Sequence, residues 1–168
     1  MTAKVFLAAP WSNTLVAIST LVTLLLLGIV LLGLLVGPRS NPIWLGLMVV
    51  LPVAILVLTG MRSVQGYRIE GSRLYIQRPG WSNTIDLTSL QGAQVDPHAM
   101  DKSLRIWGNG GLFSFSGFFH NAKLGQYQAY VTDQRRTVVL TFPTRRLVLS
   151  PADPDEFVRS VLDANTHG

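Results

Sequence analysis

Cysteine is absent from the 168 residues, so disulfides, thiolate catalysis and Cys-based zinc sites are excluded. Histidine is scarce: His98, His120 and His167 lie far apart without ligand spacing, and a metal site would have to recruit distant carboxylates. Charge is missing from two long stretches, residues 14–36 and 43–61, which contain no Asp, Glu, Lys or Arg. The remainder has ordinary mixed polarity, with no internal repeat and no low-complexity tract beyond the Leu-rich first stretch.

Each uncharged run is long enough to cross a hydrocarbon core of roughly 30 Å as a helix. The first is too long for the apolar region of a signal peptide, lacks a small-residue cleavage site, and is followed at once by a second span. A retained transmembrane hairpin is therefore expected, turning at Gly37-Pro38-Arg39-Ser40-Asn41-Pro42. Lys4 precedes the hairpin, Arg39 alone marks its turn, and Arg62, Arg68, Arg73 and Arg78 follow it. The positive-inside bias places both termini in the cytoplasm and the Arg39 turn outside. The expected division is a cytoplasmic N-terminal segment 1–13, a hairpin 14–61 and a folded domain 62–168. Gly33 and Gly37 form a small-xxx-small pair that suits packing of the two helices together or, less directly, homo-oligomerisation, and Pro52 is a candidate kink.

About 100 residues after the second span suffice for one modest domain. The formal net charge is +5; with Lys4 and Arg39 set aside, twelve basic residues face nine acidic ones. This small, scattered excess does not argue for nucleic acid, but it favours an anionic lipid surface. Tyr67 and Ile69 alternate with Arg68 and Glu70, a turn at Gly71-Ser72 follows, and Leu74 and Ile76 alternate with polar neighbours, which is a hairpin signal. Further short strands are expected over 84–87, 93–95, 104–107, 127–131, 137–142 and 147–149. Asp153, Pro154 and Glu156 then carry helix-start chemistry, and Phe157, Val158, Val161 and Leu162 supply an apolar stripe for one amphipathic helix.

About seven antiparallel strands closed by one C-terminal helix is the plan of the pleckstrin-homology superfold. The run Trp107-Gly108-Asn109-Gly110-Gly111-Leu112-Phe113, the pair Leu124-Gly125, the segment Ala129-Tyr130-Val131-Thr132-Asp133, the pair Val138-Val139, and Ser150-Pro151-Ala152-Asp153-Pro154-Asp155-Glu156-Phe157 resemble the bacterial PH-like domains often attached to transmembrane helices. The resemblance covers residues 66–164. Together with the hairpin it implies a membrane-anchored α+β protein, two transmembrane helices followed by a PH-like β-sandwich or barrel, in a bacterial inner or plasma membrane. It implies no lipid-binding residues, because no matching basic-loop motif stands here, and a fold without a site is not a function.

No enzyme chemistry stands out, and no cofactor or metal is expected. Gly108-Asn109-Gly110-Gly111 invites a phosphate-loop reading, yet position 113 is Phe, no Lys-Ser/Thr follows and the segment lies between strands, so a turn or bulge is favoured. Asp96, Asp101 and Asp133 suit turns, and Ser114 and Ser116 have no adjacent base. Two features remain. Trp107, Phe113, Phe115, Phe118 and Phe119 stand among glycines, either as core rings or as an aromatic loop for the membrane interface or a partner, with Phe118 and Phe119 expected to be exposed. Arg62, Arg68 and the pairs Arg135-Arg136 and Arg145-Arg146 are candidate contacts to anionic lipid, unless they are simply solvated turn residues.

The expected function is a non-enzymatic interaction or scaffolding module, using the sheet edge and the aromatic segment for docking to an unidentified protein or for self-assembly. Reading of anionic headgroups and service as an accessory subunit of a transporter or secretion complex are the alternatives.

Overall fold

The structure is a computed structural model and describes residues 3–38 and 40–166. Two helices form the hairpin: α1 (Asn13–Leu35) and α2 (Pro42–Met61). At 1.5 Å per residue they reach about 34 and 30 Å, each enough to cross a bilayer core. Ser12 caps α1 by accepting the Leu15 N–H, and Asn41 caps α2 by accepting the Ile43 N–H. Within α2 the turn Gly46–Val50 is π-helical, directly before Pro52, whose ring nitrogen has no hydrogen to donate to the preceding turn. The two helices meet through the small residues. A Cβ at Gly33 would sit 2.5 Å from the Met48 Cβ and one at Gly37 would fall inside the Trp44 indole, while the Trp44 Nε1–H donates to the Gly33 carbonyl at 3.0 Å. The Gly33/Gly37 pair thus serves packing within the hairpin.

The described residues of the domain form ten strands: β1 (Lys4–Leu7), β2 (Gly66–Glu70), β3 (Arg73–Arg78), β4 (Trp81–Asp86), β5 (Gly92–Val95), β6 (Leu104–Gly110), β7 (Phe115–Asn121), β8 (Gly125–Val131), β9 (Val138–Thr141) and β10 (Arg146–Leu149). They make a four-stranded sheet, β1-β2-β3-β4, and a six-stranded sheet, β5-β9-β10-β8-β7-β6. The expectation of about seven antiparallel strands is corrected in two respects. There are more strands, and β10 lies parallel to β8, with Leu147 opposite Gln128. The reason is geometric: β9 and β10 form a hairpin, and β10 folds back into the slot beside β8 instead of extending the sheet outward.

The N-terminal segment, expected to stand apart, is part of this domain. β1 pairs with β2 from Lys4↔Ile69 to Leu7↔Gly66, and Phe6 enters the core against Phe157, ring centroids 5.2 Å apart. Because β1 leads into α1 and β2 leaves α2, both ends of the hairpin feed one sheet, and the N-terminal strand and the domain lie on the same side of it.

Both faces of the central strands of the large sheet are covered. Val138, Leu140, Leu147 and Leu149 face the small sheet and the final helix α3 (Pro154–Thr166), while Val139, Val148, Ala129 and Val131 face Ala99, Met100 and Leu15. This explains why β9 and β10 read as unbroken apolar runs. In α3, Asp153 accepts the Glu156 N–H at 2.9 Å, as the cap chemistry requires. Phe157 and Val161 are buried, but Leu162 of the expected stripe is exposed.

Candidate functional site

The site grows from the place where the domain touches the hairpin. The hydrogen-bonded end of β6–β7 carries residues 109–114 against the first turns of α1. Asn109 holds the loop from within, accepting the Leu112 N–H at 3.0 Å and donating to the Leu112 carbonyl. The Gly111 N–H goes to the Ser114 carbonyl. These N–H groups are spent inside the loop, so the glycines make a turn and not an anion cradle. Phe113 adopts a positive φ of 65°, and its ring meets Trp11 at 6.0 Å. Ser19, buried in α1, accepts the Phe113 N–H and donates to the Gly111 carbonyl. Leu15, also on α1, is fully buried beside Phe115 and Val131.

Behind the loop, β6 and β7 approach each other unusually closely. Gly108 and Gly117 stand directly opposite, both at positive φ, and a Cβ on either would lie within 2.4 Å of the facing strand's backbone. Only glycine fits that crossing. Between Arg105 and Trp107 the register slips by a β-bulge, which turns Ile106 out of the ladder. Leu104, Ile106 and Trp107 are exposed, Trp107 at 77%. Arg105 folds back to donate to the Gly108 carbonyl at 3.2 Å. A bulge and a folded-back cation are devices that blunt an edge strand against pairing with another chain.

The five aromatic candidates therefore divide. Trp107 and Phe118 are cross-strand neighbours on the open face, Phe118 being 40% exposed. Phe113 docks on the hairpin, and Phe115 and Phe119 are core. The expectation that Phe118 and Phe119 are both exposed is corrected: alternation puts them on opposite faces of β7, and Phe119 is only 4% exposed, stacked on Tyr127 at 6.0 Å.

The basic candidates do not form one patch either. Arg135 and Arg136 precede β9 at the hairpin end, where they line a cleft with Trp11, Ser12 and Asn13, and Arg136 lies 3.9 Å from Asp133. Arg145 and Arg146 sit at the other end of β9 and β10, since Val138 pairs with Leu149 and Thr141 with Arg146. Arg145 covers the Phe142 ring and Arg146 donates to the Leu124 carbonyl. Arg68 is on the outer face of the small sheet, paired with Glu70 at 3.5 Å and stacked over Tyr75. Arg62, at the end of α2, faces β6.

Between α2 and β6 lies a cleft of about 510 Å³, lined by Thr59 and Arg62 on one side and by Arg105, Ile106, Trp107, Gly108, Asn109 and Leu112 on the other. Arg78 on β3 reaches Arg62 of this cleft. Its guanidinium donates to the Arg62 carbonyl at 2.9 Å and lies over the Tyr130 ring. Burial lowers the Arg78 pKa, and the nearby Arg62 charge adds to the effect. Deeper in the domain, the Tyr67 hydroxyl donates to the Tyr130 carbonyl and accepts the Ser150 N–H, and burial pushes its pKa up to about 12.

Two ion pairs lie elsewhere in the domain. His98 meets Asp101 at 2.9 Å and Lys123 meets Asp96 at 2.6 Å. Among the described residues no group of three His, Asp or Glu side chains is placed to hold a metal ion; His167 lies outside the described residues. Arg105 and Ser19 were not singled out from sequence. A lone Arg in a strand and one Ser in an apolar run carry no signal until the fold brings them to the same junction.

A family description, bacterial PH domain, matches residues 65–164. Comparison with curated proteins and with solved structures finds no match.

Proposed function

The chain belongs to the bacterial PH domain family, and from that premise we propose that it is a membrane-anchored, non-enzymatic interaction module. Its hairpin crosses the membrane twice and holds the domain against the cytoplasmic face. The observation that carries this reading is the bareness of the two helices: along α1 only Leu15, Ser19 and Gly33 are buried, and along the second half of α2 only Pro52. A soluble protein does not leave two helices of this length apolar on almost every side. The tryptophans support it. Trp11, Trp81 and Trp107 are exposed near the base of the hairpin and Trp44 lies at its far end, the distribution expected where indoles sit at two membrane surfaces.

Recognition runs through the open face of β6–β7, formed by Leu104, Ile106, Trp107 and Phe118, and not through strand addition at the β6 edge, which the bulge and Arg105 blunt. Ile106 and Trp107 share a cleft with Thr59 and Arg62 at the end of α2, so whatever that face binds is met at the membrane surface.

The test uses the natural lack of cysteine. Single Ser40→Cys and Asn165→Cys variants are labelled in intact cells with a membrane-impermeant maleimide. Labelling at position 40 from outside, and at 165 only after permeabilisation, is expected; labelling of 165 from outside overturns the orientation.

A further inference from the structure

We propose that the cleft between α2 and β6 seats the phosphate of an anionic phospholipid from the leaflet the domain faces. The inference rests on the membrane-anchored reading above and adds a site and a ligand to it.

The argument begins with unbalanced charge. The ion pairs among the described residues join Arg68 to Glu70, His98 to Asp101, Lys123 to Asp96 and Arg136 to Asp133. None involves Arg62 or Arg105, which both line the cleft, and a third cation, Arg78, is bonded to the Arg62 carbonyl. Two arginines lining one cleft that holds no carboxylate call for an anion, and two planar forks suit the oxygens of a phosphate better than a point charge does. Arg105 is already held by its bond to the Gly108 carbonyl, so less freedom is lost when it binds.

The C-terminal end of a helix ordinarily repels anions. Here that end is occupied. The Ser63 and Arg62 N–H groups return to the carbonyls of Gly60 and Thr59, and Arg78 takes the carbonyl of Arg62. The competing polar donors are also engaged: the Thr59 hydroxyl is turned to the Ile55 carbonyl at 2.6 Å and the Asn109 amide to Leu112. The guanidinium groups, with the Trp107 indole N–H beside them, are left as the anion-binding elements.

The rest of the wall decides between lipid and soluble phosphate. Ile106, Trp107 and Leu112 are apolar, and the opposite wall is the last turn of a helix otherwise clothed in lipid-facing side chains. A soluble phosphate gains nothing from them. A phospholipid places its phosphate on the arginines and its glycerol and upper acyl carbons against Ile106 and Trp107, at the depth where an exposed indole is favourable.

The experiment uses the full-length chain in mild detergent, with bound lipid counted by native mass spectrometry during titration with dioleoyl-phosphatidylglycerol or dioleoyl-phosphatidylcholine. Wild type is expected to retain one phosphatidylglycerol and to prefer it by about tenfold or more. Joint Arg62→Gln and Arg105→Gln replacement should abolish the preference, whereas joint Arg145→Gln and Arg146→Gln replacement should keep it. Equal retention of the two lipids by wild type, or an unchanged preference in the cleft variant, overturns the proposal. Inorganic phosphate that displaces the lipid at matching concentration reassigns the site to a soluble anion and also overturns it; failure to displace supports it. Should the double variant not fold, Arg105→Gln alone decides the matter, because that side chain is exposed. Labelling at positions 40 and 165 in reconstituted vesicles separates failure of this site from failure of the membrane reading.

Discussion

The hydroxyl of Ser19, nearly two turns into α1, accepts the backbone N–H of Phe113 at 2.9 Å and donates to the Gly111 carbonyl at 3.2 Å. One side chain in an apolar helix thus satisfies two backbone groups of a loop more than ninety residues away in sequence. Replacing it by Ala leaves both groups buried without a partner, at about 1–3 kcal/mol each before relaxation or water entry. Ser19→Ala should lower the thermal midpoint of the detergent-solubilised protein and accelerate amide exchange over residues 110–114, with little change in α3. Unchanged exchange in the loop would show that the junction does not hold it.

Trp107 and Phe118 form the open face only because Gly108 and Gly117 let the two strands cross so closely. A Cβ at Gly117 would lie 2.2 Å from the Trp107 carbonyl oxygen, at φ 140°. Gly117→Ala should cost on the order of 3 kcal/mol or more, through backbone strain combined with steric overlap. At Gly92 nothing lies within 4 Å of the added atom and φ is ordinary, so Gly92→Ala is the matched control and should be nearly neutral. Thermal unfolding of the two variants side by side tests the contrast.

Adjacent phenylalanines should respond in opposite ways. Phe118→Ser removes an exposed ring and should leave the thermal midpoint almost unchanged. Phe119→Ser empties a core position against Tyr127 and places a hydroxyl there, costing about 3–5 kcal/mol. If both substitutions prove equally mild, β7 does not present the two rings to opposite faces.

Within the hairpin, Gly33→Leu should disrupt the seat of Met48, whereas Gly28→Leu, with nothing within 4 Å of its Cβ, should be tolerated. Far-ultraviolet thermal melts in detergent distinguish them. Equal loss at both positions would mean that Gly28 also faces a helix, from another copy of the chain.

How much of this was legible from sequence depends on the range of the causes. The α3 start was legible because its cap is local, with Asp153 accepting the Glu156 N–H within one turn and Pro154 at the first helical position. The β2–β3 hairpin was legible because Gly71, at φ 56°, sits between two alternating runs. β1 was not, since four residues carry little periodicity and their partner follows the entire hairpin. Nor was the insertion of β10 beside β8, which a local pattern cannot specify. The site follows the same rule: Trp107 and Arg62 stood out by exposure-prone type and by position next to a span, whereas Arg105 acquires meaning only from the bulge that turns it back toward the cleft.

Tyr67 links the small sheet to the large one through the Tyr130 carbonyl and the Ser150 N–H. Burial raises its pKa from 10 to about 12 in the folded chain, so the folded state holds its proton more tightly than the unfolded state does. The resulting stability is fully present below pH 10, declines as pH rises from 10 to 12, and is lost above; a shift of this size corresponds to about 3 kcal/mol. Burial raises the pKa of Tyr127 and Tyr130 in the same direction, so they add to the alkaline loss. Denaturant unfolding between pH 8 and pH 12 should show stability falling over that window. Tyr67→Phe should be less stable than wild type at pH 8, because the Ser150 N–H loses its acceptor, yet lose less on further alkalisation. An alkaline limb equally steep in the variant would remove Tyr67 as its source.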